Sequence, residues 1–252
     1  MIKQAALVFG LAAVVPAGAT TLFPTVGENG PPQIGVGLAA LVENEGYKDG
    51  GTETEPLPVL FYQGDRLRVL GPQLTYRVLG DRRTNIGLRV DYRFDGYDKD
   101  DGAIFEGMAE RKSGIAAGVA GQVHVGVGNV YYSLAKSISA SKGMYGSVQY
   151  GIPVDVAGWT VTPRAGVEFF NAKYADYYFG VRADEARAGR PAYTPGRALN
   201  LDVGVDLHRD IGRHHTVFGS VKYRRYDSAI KDSPLMEKSG SPRLNIGYLY
   251  RF

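Results

Sequence analysis

The sequence predicts an all-β chain folded as a transmembrane antiparallel up-and-down β-barrel. Three observations lead there. Apolar residues recur at every second position over many segments, while the positions between them carry glycine and charge of both signs. Strict alternation of this kind gives a strand one apolar face and one wet face. Past the N-terminal run, no stretch offers the ~20 uninterrupted apolar residues that a spanning helix requires. The connections between the alternating segments are short and long by turns, as in barrels with short periplasmic turns and longer outer loops.

The chain opens with Lys3, an apolar run from Ala5 to Val15, and the small-x-small site Ala17-Gly18-Ala19. That pattern reads as a cleaved signal peptide over 1–19, since the run is too short for roughly 30 Å of hydrocarbon. Residues 20–32 are expected to be a flexible periplasmic segment and 33–252 the barrel. Strands are predicted at 33–42, 57–63, 66–70, 72–80, 84–95, 113–127, 129–139, 143–154, 159–170, 199–210, 215–226 and 243–252, twelve in all. Gln63–Asp65, Gly80–Arg83, Gly128-Asn129, Val156–Gly158 and Ile211–His214 are short and rich in turn formers. The long connections are 43–56, 95–112, 171–198 and 227–242, with Ala140–Lys142 shorter. Leu70-Gly71-Pro72 must be an outer turn for the count to be even. A bulge there would leave eleven strands and a hidden crossing near Ala103–Met108; ten strands is the alternative count.

Alternation fixes the two faces. Ile86, Leu88, Val90, Tyr92 and Phe94 alternate with Gly87, Arg89, Asp91 and Arg93, and Leu201, Val203, Val205 and Leu207 with Asp202, Gly204, Asp206 and His208. In the last segment Leu244, Ile246, Tyr248, Tyr250 and Phe252 share the lipid face. This segment resembles the closing strand of bacterial outer-membrane barrels, whose terminal aromatic residue marks the chain for assembly. Tyr248, Tyr250 and Phe252 are therefore read as the signal to a barrel-assembly machinery, and the expected surroundings are outer-membrane lipid and lipopolysaccharide.

Composition agrees. Mean hydropathy is only −0.18, as expected where alternate residues alone touch lipid. There are 34 Gly, 17 Tyr and 10 Phe, which favours strands with aromatic girdles, and no Cys, so no disulfide framework. A net charge of +3 on an exported chain gives no reason to expect nucleic acid.

Candidate chemistry is sparse. Arg77, Arg89, Arg93, Arg164, Lys222, Arg224, Arg243 and Arg251 are predicted to face the lumen, against Asp91, Glu168, Asp202 and Asp206. That positive excess would favour anions in a continuous channel. His124 and His208 face the lumen by alternation, and His214-His215 occupy a periplasmic turn, with no serine paired to any of them at a rim. Asp98, Asp100 and Gly102 resemble the start of a calcium loop, but the twelfth position is Ala109 where a bidentate Glu is needed. No catalytic, metal or cofactor residue is assigned. Tyr174, Tyr177, Tyr178 and Phe179 are expected to form an interfacial belt at the outer end of a strand. Asp184–Gly189 is expected to make one or two helical turns within the long outer loop.

More specific text lies in the second half: Tyr177-Tyr-Phe-Gly-Val181, Asp184-Glu-Ala186, Gly189-Arg-Pro-Ala-Tyr193, Pro195-Gly196 and Asp232-Ser-Pro-Leu235. With Pro56-Leu-Pro58 and Tyr92-Arg-Phe94, this resembles the MipA/OmpV family. The resemblance implies an outer-membrane barrel that acts as a non-enzymatic scaffold in murein synthesis, with a membrane-bound lytic transglycosylase and a penicillin-binding protein as partners. A narrow porin-like channel for small, anionic solutes is the alternative, and a rim hydrolase or surface adhesin the third reading. The family offers no residue-level binding motif. Tyr178, Phe179, Gly180, Pro191 and Tyr193 form the candidate functional segment of the outer loop.

Overall fold

Which way each side chain points decides this fold, because one side of the sheet meets hydrocarbon and the other a crowded interior. The computed structural model describes residues 31–252; the expected signal peptide, and the N-terminal segment up to residue 30, lie outside the described residues. The strands are β1 (Gln33–Glu43), β2 (Glu53–Gln63), β3 (Leu67–Leu70), β4 (Gln73–Gly80), β5 (Thr84–Arg93), β6 (Gly114–Val125), β7 (Gly128–Ser137), β8 (Met144–Gly151), β9 (Val154–Val156), β10 (Trp159–Phe170), β11 (Ala198–Ile211), β12 (His215–Arg225) and β13 (Gly240–Arg251). Each pairs antiparallel with its neighbour, and β13 pairs with β1 from Glu43↔Arg243 to Gly35↔Arg251, closing the ring.

β8 and β9 are two halves of one crossing. Pro153 has no N–H to continue the ladder, and the Ile152 N–H donates to the Pro163 carbonyl across the break. The ring therefore counts twelve strands. The doubtful Gly71-Pro72 is a two-residue turn, with Leu70 opposite Gln73 and Gly71 at φ 55. It stops inside the wall, because β3 has only four residues.

Exposed apolar side chains form the lipid belt: Val36, Leu38, Leu60, Leu88, Leu134, Val203, Val221, Ile246 and Phe252 all point outward. Lys136 and Arg225 stand opposite outward-facing neighbours and are exposed, so both lie on this outer face. Backbone polar groups in hydrocarbon need partners within the protein, which a closed ladder supplies. No helix among the described residues is long and apolar enough to cross a membrane.

Two strands begin three or more residues earlier than read in the sequence. β2 starts at Glu53 rather than 57, and β13 at Gly240 rather than 243. The polar starts of both strands lack the apolar alternation that made the remainder readable.

The seam between first and last strands is tight. A Cβ on Gly37 would fall 2.1 Å from the Tyr248 carbonyl oxygen. Gly37→Val should force β1 from β13, at a cost of about 1–3 kcal/mol or more. A reduced fraction of heat-modifiable barrel on gels is the expected result.

Candidate functional site

The lumen is filled at three levels. In the middle, β5 contributes Arg89, Asp91 and Arg93, β10 contributes Arg164 and Glu168, β11 contributes Asp202 and Asp206, and β12 contributes Lys222 and Arg224. Alternation turns all nine inward, and most are buried. Arg224 reaches Glu168 at 2.5 Å and Asp202 at 2.8 Å. Arg93 reaches Glu168 at 3.4 Å and also pairs with Asp95. Arg164 and Lys222 share Asp206 at 2.5 and 3.7 Å, and Arg89 pairs with Asp91 at 2.8 Å. Buried charge is tolerable only when paired in this way.

The expected positive excess is corrected here. Glu43 takes Arg243 at 2.5 Å, Asp95 takes Arg93, Asp210 takes Arg251 at 2.9 Å, and Asp65 takes Arg77 at 2.9 Å. Glu43, Asp95 and Asp65 lie at strand ends or in turns, where alternation gives no phase, while Asp210 continues the inward series of β11. A cavity of about 70 Å³ remains among Glu43, Arg93, Glu168, Lys222 and Arg243, large enough for several waters.

Above this layer the outer loops fold into the mouth. The helix α1 (Ala172–Phe179) starts where the Asn171 side chain accepts the Tyr174 N–H at 2.9 Å. Tyr174, Ala175, Tyr178 and Phe179 recur at helical spacing and are buried. The tyrosine cluster is thus no interfacial belt: its buried members face inward and cap the lumen. The Tyr174 hydroxyl donates to Asp95, and Arg93 lies 4.3 Å from the Tyr145 ring centroid. Tyr47, Tyr97 and Phe105 pack edge-on and stacked beside Phe179. A 3₁₀ turn at Ala183–Glu185 replaces the longer helical turns expected over 184–189.

The lid is pinned by polar groups. Arg111 and Glu185 form a buried two-pronged pair at 2.9 and 2.7 Å, and the Arg111 Nε donates to the Tyr177 carbonyl at 2.8 Å. Arg190 is buried and donates to the carbonyls of Glu185, Ile104 and Glu106. The short helix α2 (Ser228–Lys231) leads into Ser233, whose hydroxyl donates to the Phe179 carbonyl at 2.7 Å, and Leu235 behind it is fully buried. Gly180 ends α1, and the Tyr193 hydroxyl donates to the Ala229 carbonyl, while Pro191 stays exposed. The candidate outer-loop segment is therefore mostly packing. Arg111, Glu185 and Arg190 were missed as lid residues; the only sequence signal was the position of Glu185 and Arg190 within the quoted loop text.

Along the inner wall from mid-barrel toward the short turns, Leu57, Val59, Phe61, Leu70, Phe218 and Leu249 form an apolar cluster with Ala39 and Leu41. His215 Nδ1 lies 2.5 Å from the Tyr248 hydroxyl, and His214 stacks on Tyr250. His124 faces Asn129, and His208 lies 3.9 Å from Asp210. Asp98 and Asp101 accept backbone N–H groups of their own turn. Among the described residues no group of three or more His, Cys, Asp or Glu could hold a metal ion.

A family model described as MltA-interacting protein MipA matches residues 36–252. The chain belongs to the MipA family. Similar relatives include the MltA-interacting protein of Escherichia coli K12, 26% identical over 86% of this chain and 89% of its own length. Omp26La of Vibrio anguillarum and OmpV of Vibrio cholerae, both named outer membrane proteins, are each 27% identical over 76% of both chains. With the lipid belt, these MipA-family relatives assign the chain to the outer membrane.

Two carboxyls in the lid respond to pH in opposite directions. Burial, reinforced by Glu43 and Asp95, pushes Glu45 up to about 8. For Glu185, burial pushes upward, but the Arg111 guanidinium and the backbone N–H groups of Arg182 and Ala109 outweigh it and hold the carboxyl down to about 2. A depressed acid stabilises above its unfolded value of 4.5 and loses that contribution as pH falls toward 2. The lid should therefore loosen in this window, read as loss of near-UV circular dichroism while the far-UV strand signal persists. Glu185→Gln should loosen it already at pH 7, by roughly 3 kcal/mol for a broken buried pair.

Proposed function

We propose that the protein is a closed, non-enzymatic outer-membrane anchor that holds a murein-processing enzyme at the periplasmic face. The observation that carries this reading is the filled lumen, with apolar, ion-paired and aromatic layers one above another. A barrel whose interior is crossed by buried ion pairs and capped by packed aromatics is suited to holding a partner more than to passing a solute. One relative is named for interacting with MltA, and the family resemblance adds a lytic transglycosylase and a penicillin-binding protein as the partner class. At the short-turn end Arg83 and Arg213 are exposed, beside the exposed Asp65, Asp81, Asp155 and Asp210. The Asp81 carboxylate accepts the N–H groups of Arg83 and Thr84 at 2.7 and 2.8 Å and fixes that turn. Arg83 and Arg213 offer local charge complementarity to acidic side chains of a partner.

In planar bilayers the purified barrel should give no steady open channel, and a stable anion-selective conductance would favour the channel reading instead. Arg83→Glu with Arg213→Glu should cut crosslinked capture of a lytic transglycosylase about tenfold while leaving the heat-modifiable barrel intact. Undiminished capture would remove this face from the proposal.

Tyr248, Tyr250 and Phe252 remain our candidates for the assembly signal. They lie on the lipid face, and Phe252 packs edge-on against Tyr250 with 73% of its surface exposed. Deleting Phe252 removes little packing, so a large fall in membrane-inserted barrel, with unchanged stability of the inserted fraction, is the expected result.

A further inference from the structure

The wall of the ring is incomplete on one side. β2 pairs with β1 along all eleven of its residues, but with β3 only through Phe61, Tyr62 and Gln63. Above that point, among the described residues, no strand pairs with the second edge of Glu53–Val59. The next wall element is β5, and the two strands between, β3 and β4, turn back at Gly71-Pro72. The floor of the resulting notch is sealed: the Gly71 N–H donates to the Leu60 carbonyl at 2.8 Å, and the Tyr92 N–H to the Pro72 carbonyl at 3.2 Å.

The notch lies at lipid depth. Pro58 stands opposite Leu38 and Pro56 opposite Ala40, and Leu38, exposed over 68% of its surface, belongs to the lipid belt. Pro56, Pro58 and Leu60 point outward on one side, and Tyr92 stands exposed on the other with Phe94 edge-on beside it.

Chemistry limits what can fill this space. The Gly71–Leu60 bond shows that even-numbered residues of β2 aim their N–H and C=O at the notch. At 56 and 58 those residues are proline, so the edge carries no donor there. An incoming strand would find half its ladder missing, which is how proteins blunt an edge against pairing. Unpaired N–H groups in hydrocarbon are costly, and this edge avoids two of them.

We propose that the notch is a lipid site that holds one acyl chain of the outer leaflet along the β2 edge. The chain lies between Pro56, Pro58 and Leu60 on one side and Tyr92 on the other, above the Gly71-Pro72 floor. This site is separate from the periplasmic anchor reading and survives its failure.

The test is native mass spectrometry of the full protein, extracted from vesicles of phosphatidylcholine in which a fraction of the lipid carries a photoreactive diazirine at mid-chain. After irradiation, the bound lipid should map to Pro56–Leu60 and Tyr92 about tenfold more often than to the lipid-facing Leu134 or Val221, and Pro58→Trp, which fills the notch, should abolish retention of that lipid. Leu134→Trp should retain it. Leu60→Trp serves the same purpose if Pro58→Trp does not give a heat-modifiable barrel. Adducts spread evenly around the belt, or a dimer crosslinked through β2 in place of a lipid adduct, would overturn the proposal.

Discussion

The carboxylate of Glu168 sits between two guanidinium groups, and the closed interior depends on that position. A ring of twelve strands is too wide for one layer of short side chains to fill. Arginine is long, planar and able to bond two carboxylates at once. Arg224 bridges Glu168 to Asp202, and Arg93 bridges Glu168 to Asp95. Asp95 then accepts the hydroxyl of Tyr174 on α1. One continuous chain of charge therefore ties β5, β10, β11 and β12 to the lid. Removing Arg93 or Arg224 would leave Asp95 or Asp202 without its cation in a poorly solvated space. The closed lumen and the ordered mouth are the same network seen at two heights.

Much of the wall was legible before any coordinates. Alternation needs only local sequence, and residues such as Leu88 and Arg89 declare their faces by being neighbours in a strand. The doubtful Gly71-Pro72 followed from parity and turn chemistry. The lid was not legible, because its decisive contacts join distant loops: Arg111 and Glu185 are 74 residues apart. Helix α1 did carry a signal, an Asn followed by buried positions 174, 175, 178 and 179, but two adjacent tyrosines invited a membrane-belt reading. The charge balance failed for a related reason. Glu43 and Asp95 sit at strand ends, where alternation stops predicting which way a side chain points.

Family text acquires physical meaning in the loops. In Gly189-Arg-Pro, the buried Arg190 donates to three backbone carbonyls of two separate loop segments. In Asp232-Ser-Pro-Leu, Ser233 caps the carbonyl at the end of α1 and Leu235 fills the core beneath it. These residues hold the outer loops to one another, so their role is to fix the mouth in one arrangement. A lid this well bonded leaves the outer rim with little freedom to rearrange around a large solute.

The length of β3 links the two unusual features of the wall. Four residues cannot span the bilayer, so β3 and β4 leave the outer part of the ring to β2 and β5. Extending the hairpin would complete the ladder, but it would need a donor-bearing edge on β2, and Pro56 and Pro58 withhold it. The inner side of the same strand is occupied: Leu57, Val59 and Phe61 are buried in the apolar cluster on the inner wall. β2 thus presents packed apolar side chains inward and an unpaired, proline-blunted edge sideways. The packing crowds the axis, and among the described residues the gap beside β2 faces the lipid belt, which is where we place the acyl chain.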